Sequence, residues 1–482
     1  MITREKLFVF ILDIIFGVAI CFLPDTILGS ACIYMADFMV ISIVVMQIIK
    51  GFPDLMLFLF NITYFLFMLS GGTATMLMGG VIEDYLVQNT KVTNEACLMA
   101  LLGIAVINTT YVFFEGLNVT VVIRESPLEN KTTAEPTGLQ RLGVAVIFFV
   151  TAFCKLLMAI ETFFYSQDNG YIALYTKQTS ILPSFIGYIG ALFYFALMLF
   201  FACNFSKKAT FSAFAVVGII ELLILIAGDR GEAVCAVFVL IVYTIFRVKK
   251  EPTFLRSWKI VLIIIIFLLP TGVYFLQVIK YTRIGEELTL GYWDTILDFF
   301  ISQGVSLEIL GYSVTLKERI AEMAGNNFVF GHLKEYLTQN VVSRTLFGFE
   351  YIIGNTTEAA MTGTSYGSTM SYLRFKDSYL SGMGCGSVFL SELYHDYSWA
   401  GIIIGSFFLG MLLLKLKNMN VKGWIQYAVS LNCVRAVLTT PRTGYFKWLT
   451  ETFAFPNLLL LLLIVFIGIV SKKQVVRYKE GL

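Results

Sequence analysis

Residues 211–247 read FSAFAVVGIIELLILIAGDRGEAVCAVFVLIVYTIFR. Each of the two apolar runs, 211–227 and 231–247, has the ~17–25 mostly apolar residues that a helix needs to cross a bilayer. Only Gly228-Asp229-Arg230-Gly231 joins them. So short a turn returns the chain straight into the membrane and keeps Arg230 close to one face of it. Glycines on either side let the backbone turn tightly and let a large headgroup approach. A guanidinium in that setting suits a phosphate, which it can hold bidentately. The alternative is a plain hairpin in which Arg230 snorkels or pairs with Asp229.

The same hydropathy extends outward from this hairpin over the whole chain. Of 482 residues, 57% are hydrophobic and 14% charged, and the mean hydropathy is +0.79. A soluble domain carries about 25% charged residues and could not bury this much apolar surface in one core. Soluble enzymes, nucleic-acid binders and disordered scaffolds are excluded, which leaves an all-α polytopic membrane protein with no nucleic-acid partner. The net charge of +2 says nothing about partners, because sidedness depends on where charges sit. The eight cysteines form no CxxC pair, and nearly all fall in apolar runs, where a thiol behaves as a small hydrophobe. Only His332 and His395 are present as histidines, so neither a metal site nor a cofactor is expected. Walker-type, GxSxG and HExxH motifs are missing from the sequence, so ATP hydrolysis on this chain is not expected.

Runs long enough to span the membrane lie near 7–23, 31–49, 54–70, 96–115, 142–160, 181–203, 211–227, 231–247, 259–277, 386–414, 424–440 and 456–471. They predict about twelve transmembrane helices. The first carries Arg4 and Lys6 ahead of it but no small-residue cleavage site, so it reads as an uncleaved span. With the N-terminus in the cytoplasm, the inside segments hold 20 of the 35 Lys and Arg residues, the asymmetry that orients membrane proteins. Both termini are therefore expected in the cytoplasm. The organisation is 1–277, spans one to nine; 278–384, a long extracytoplasmic loop; and 385–482, spans ten to twelve.

Long ordered loops are usually functional. This one is rich in aromatics and carries the polar stretch GNTTEAAMTGTSYGSTMSY at 354–372. Ile296, Leu297, Phe300 and Ile301 recur at helical spacing and predict an amphipathic helix resting on the outer leaflet. Arg283, Trp293 and Tyr366 are candidates for contacting a glycan, since aromatic faces stack on sugar C–H groups. No internal repeat of the kind that secondary transporters carry is visible.

Polar groups in or beside spans are functional candidates. Arg435 sits inside the outer end of its span, costly unless an anion or a carboxylate (Glu451, Glu392 or Asp396) receives it. Arg442 and Lys447 stand at the membrane edge, where they could also face lipid phosphates. Arg230, Arg435 and Arg442 are remote in sequence yet reach the same outer boundary. The stretch GMGCGSVFLSELYHDYSWAG (382–401) is a glycine-rich entry into a span. Its Glu392, His395 and Asp396 share one helical face by i, i+3, i+4 spacing. A carboxylate and an imidazole there could supply a general base; alternatively His395 and Asp396 pair with each other or cap the helix. Lys155 and Glu161 are candidates of the same kind.

This glycine-rich entry, with its E-x-Y helix start, resembles that of the Wzy-type polymerases, which join oligosaccharide repeat units of O antigens and capsules. FFISQGVSLEILGYS (299–313), FGHLKEYL (330–337), the GDRG turn and PRTGYFKWLTETF (441–453) are similar to that family's segments in the same order. The resemblance implies a fold like that of the metal-independent C-type glycosyltransferases of the polymerase and ligase group. It also implies a bacterial cell membrane, an extracytoplasmic site and undecaprenyl-pyrophosphate-linked oligosaccharides as substrates. The growing glycan would pass from its lipid pyrophosphate to the sugar hydroxyl of an incoming lipid-linked unit. Arg230, Arg435, Arg442 and Lys447 would hold the pyrophosphate, and Glu392 or His395, with Arg230, would carry catalysis. A flippase and a chain-length regulator of the same pathway are implied partners. One departure stands out: related O-antigen ligases open this helix with a functional histidine, and the nearest position here is Ser387. Two other functions fit the residues, a lipid-linked oligosaccharide flippase and an O-antigen-type ligase. A flippase would be expected to show two pseudo-symmetric halves and no long outer loop.

Overall fold

The computed structural model describes residues 4–51, 54–115, 135–169, 180–228, 230–254, 270–282, 287–417, 419 and 423–480. Among these the regular elements are helices, with no strand. In chain order they begin with α1 (Arg4–Phe22), α2 (Asp25–Ile49), α3 (Leu55–Leu77), α4 (Ile82–Leu86), α5 (Thr90–Phe114), α6 (Gly138–Asn169) and α7 (Ser184–Ala202). There follow α8 (Lys207–Ala227), α9 (Arg230–Lys250), α10 (270–282), α11 (Tyr292–Gln303), α12 (Ser306–Thr315), α13 (Lys317–Ala324), α14 (Gly331–Thr338) and α15 (Val341–Phe347). The last are α16 (Thr357–Met361), α17 (Tyr366–Leu380), α18 (Phe389–Leu416), α19 (Trp424–Val437), α20 (Lys447–Thr452) and α21 (Phe455–Glu480).

Seven of these, α2, α3, α5, α6, α7, α8 and α18, are long and apolar enough to cross a membrane. The chain is a multi-pass membrane protein. The other five expected runs meet α1, α9, α10, α19 and α21, which are shorter, more charged or only partly described; residues 255–269 of the expected ninth run, like Arg283, lie outside the described residues.

Helix α5 is the centre of one group, packed against α2 and α18 and also touching α1 and α12. Inside it Asn61 of α3 and Asn108 of α5 exchange two amide hydrogen bonds of 2.9 and 3.0 Å. Such reciprocal pairing satisfies both buried amides without water. In the second group α7 packs on α6 and α19. Every residue from Phe193 to Ala202 is buried, as expected of a helix that is apolar all round. Phe200 meets Phe148 at 4.6 Å and Phe201 stacks on Tyr243 at 4.2 Å. Gly228 closes α8 in the left-handed region (φ +114°), and α9 begins at Arg230.

The long loop is largely helical, α11 to α17. The helix expected around 296–301 forms as α11. Of its apolar face Ile296 is buried and Leu297, Phe300 and Ile301 are half-buried, and α11 packs against α3. Ser70 Oγ donates to the Phe300 carbonyl at 2.9 Å, and a Cβ on Gly304 would fall 2.1 Å from the Gly71 nitrogen. Hydropathic period reveals an apolar face but not whether protein or lipid covers it. Further along, Arg374 of α17 pairs with Glu308 of α12 and lies 4.0 Å from the Tyr312 ring, a cation–π contact.

Candidate functional site

The glycine-rich stretch before α18 makes a polar cavity. Gly382 and Gly386 adopt φ of +99° and +74°, which glycine tolerates and other residues resist. The Gly386 carbonyl group approaches Gly367 so closely that a Cβ on Gly367 would lie 2.5 Å from it. The cavity, about 260 Å³, is lined by Asn355, Ser365, Ser368 and Ser371 of the 354–372 stretch. Ser387, Arg442, Thr443, Gly444 and Lys447 line it from the α18 and 441–453 side, and His332 from α14. Hydroxyls, backbone amides and two cations form a lining that suits sugar hydroxyls and phosphate oxygens.

Glu392 stands behind this lining. It is fully buried, and its two oxygens are each held: Ser387 Oγ donates to Oε1 at 2.7 Å and the Tyr445 N–H to Oε2 at 2.8 Å. Tyr445 is fixed in turn by its own hydroxyl, which donates to the Gly405 carbonyl at 2.9 Å. His332 brings Nε2 to 3.9 Å from Glu392 Oε1 and Nδ1 to 3.8 Å from Glu335. The close approach depends on Gly444, where a Cβ would be 2.2 Å from His332 Nε2 and 2.6 Å from Glu392 Oε1. A buried carboxylate fixed by two donors thus stands within ion-pair range, beyond hydrogen-bond reach, of an imidazole on the cavity wall, and both are side-chain types that serve as general bases.

The other candidates separate. Arg442 and Lys447 reach the cavity; Arg442 Nη1 donates to Gln303 Oε1 at 3.0 Å, and Lys447 stands 3.7 Å from Glu451. Arg435 lies behind it, 3.7 Å from the other oxygen of Glu451 and 4.9 Å from the Tyr194 ring. Of the carboxylates the sequence offered, Glu451 is therefore the one that receives it. Lys155 covers the same ring at 5.3 Å, while Glu161 accepts the Ile181 N–H at 2.6 Å, away from the cavity. Arg230 opens α9, and its side chain is outside the described set.

His395, although one helical turn from Glu392, points elsewhere. Its ring packs at 5.2 Å from Phe328 and 5.6 Å from Tyr366, and Nε2 lies 3.2 Å from the Gly325 carbonyl oxygen. Asp396 accepts the Val329 N–H at 2.8 Å. Tyr366 is itself fully buried, so it offers no ring face to a sugar, and Trp293 is exposed on α11 rather than on the cavity wall. His332 was not among the residues singled out by spacing. Being one of only two histidines, within FGHLKEYL, was the signal available. Among the described residues no group of three or more His, Cys, Asp or Glu side chains is placed to hold a metal ion.

The family model of O-antigen polysaccharide polymerase Wzy matches residues 6–475, nearly the whole chain. The chain belongs to that family. No curated protein and no solved structure matches it. As a Wzy-family polymerase it is a membrane-embedded polysaccharide-synthesising protein. The segments that line the cavity, 330–337, 382–401 and 441–453, all fall within the matched region.

Proposed function

We propose that this polymerase joins lipid-pyrophosphate-linked oligosaccharide repeat units at the 260 Å³ cavity, on the extracytoplasmic face, with undecaprenyl pyrophosphate as the carrier. The observation that carries the reading is the pairing of buried Glu392 with His332 beside Arg442 and Lys447. The acceptor sugar hydroxyl gives its proton to His332, whose imidazole Glu392 orients and stabilises as it becomes cationic. The hydroxyl oxygen forms the new glycosidic bond to the anomeric carbon of the donor glycan. The bond from that carbon to the phosphate oxygen breaks, and its electron pair leaves with the lipid pyrophosphate. Arg442 and Lys447 neutralise the charge that develops there. Arg230, at the start of α9, is assigned to the same anion, and Arg435 supports the site through Glu451. The chain supplies base and cations itself, so neither nucleotide nor metal takes part in the proposed step.

The test uses purified full-length protein and lipid-linked repeat units, without added nucleotide and with a chelator present. The expected product is a lipid carrying two or more repeat units, with release of free lipid pyrophosphate. Absence of chain extension while lipid-linked units still cross a vesicle bilayer would replace this reading with transport.

A further inference from the structure

Outside the spans, one stretch of the chain exposes large apolar side chains in a row. Leu337 lies in the last turn of α14, Val341, Leu346 and Phe347 belong to α15, and Tyr351 and Ile353 follow it; all are exposed, Leu346 and Phe347 at 71% and 72%. No residue of α15 is buried, so its apolar side chains do not serve the protein's own core. Scattered apolar residues on a surface need no explanation, whereas a contiguous row marks an interface.

Three observations indicate what covers it. Tyr336 Oη donates to the Phe453 carbonyl at 2.7 Å, and α14 packs on α20. The row is therefore anchored where the chain turns into α21, whose Leu459, Leu462 and Leu463 are also exposed. Its charges are also few. Arg344 and Glu350 are the only ones in 337–353, and the Arg344 guanidinium lies 4.7 Å from the Tyr351 ring, a cation-and-aromatic pairing at home among headgroups. Finally, Asn355 of the cavity wall follows Ile353 by two residues, which puts the row at the cavity's edge.

We propose that residues 337–353 form a membrane-dipping rim. Leu346 and Phe347 sit among the acyl chains of bilayer phospholipids, Arg344 meets their phosphates, and the cavity mouth is held at headgroup level, open sideways to the membrane. This inference rests on surface chemistry and placement, and it stands whatever reaction the cavity performs.

Full-length protein in phosphatidylethanolamine–phosphatidylglycerol vesicles tests it. In a Cys21→Ser background, Leu346→Cys and Phe347→Cys each carry an environment-sensitive fluorophore, and a fraction of the lipid has brominated acyl chains. Quenching at both sites should match that at Leu462→Cys on α21 and exceed that at Glu322→Cys. Quenching no greater than at residue 322 overturns the proposal, and cross-linking of two copies through Leu346→Cys with an unquenched label would assign the row to a second copy instead. Because α15 buries nothing, Leu346→Glu leaves the fold intact and should abolish quenching at Phe347→Cys. Undiminished quenching in that variant also overturns the proposal.

Discussion

His332 Nε2 stands 3.9 Å from Glu392 Oε1, and Gly444 packs against both atoms with no side chain of its own. Three segments far apart in the chain meet there. Gly444→Ala would place a Cβ 2.2 Å from His332 Nε2, and overpacking typically costs about 1–3 kcal/mol. The imidazole must shift, so polymer yield is expected to collapse while membrane abundance stays near normal. Gly423→Ala, where nothing lies within 4 Å, is the matched control and should leave both unchanged. Immunoblots of membranes beside polymer length on gels give the two readouts.

Glu392→Gln preserves shape, and its single amide oxygen can still accept from the Tyr445 N–H, with the Ser387 hydroxyl turned to accept from the new NH2, but it removes the charge facing His332. Turnover with purified protein is expected to fall about 10²–10⁴-fold, the span of general-base contributions. His332→Gln should fall comparably, and the double variant little further, because the two act as one unit. Strict additivity in the double variant would separate them. His395→Leu, which keeps an apolar body against Phe328 and Tyr366, should retain turnover per folded molecule.

The cations divide into two kinds. Arg442→Ala and Lys447→Ala should weaken polymerisation by about 10- to 100-fold, as loss of a charge-assisted phosphate contact does, with normal abundance. Arg435→Ala removes an ion pair with Glu451 and a contact with the Tyr194 ring. It should lower thermal stability in detergent before it lowers turnover. Abundance and melting temperature, measured beside turnover, distinguish the two classes.

Topology is tested by cysteine labelling from outside the cell in a Cys21→Ser background. Exposed Glu358 is the site in the long loop, with exposed Pro252 as its counterpart. Glu358→Cys should react with a membrane-impermeant maleimide and Pro252→Cys should not, because the positive-inside rule puts the basic loop at 247–259 in the cytoplasm. The reverse pattern would reject the proposed orientation.

Hydropathy is a local property, so the sequence by itself determined the all-helical membrane class, most of the spans and the helix end at Gly228. The glycine-rich opening of α18 and the polar 354–372 stretch were legible too, since glycine density and hydroxyl content are written residue by residue. The partner of each side chain was settled by the tertiary structure alone. Periodicity put Glu392 and His395 on one helical face, yet His332 of α14 approaches the first while Phe328 and Tyr366 enclose the second. It showed the apolar face of α11 without revealing that α3 would cover it. Arg435 had three carboxylates within sequence reasoning's reach and took Glu451. His332 gained its role only when folding carried α14 onto the turn at Gly444. Pairings between remote segments depend on which faces pack and on where a missing Cβ leaves room, and those are decided by the assembled chain.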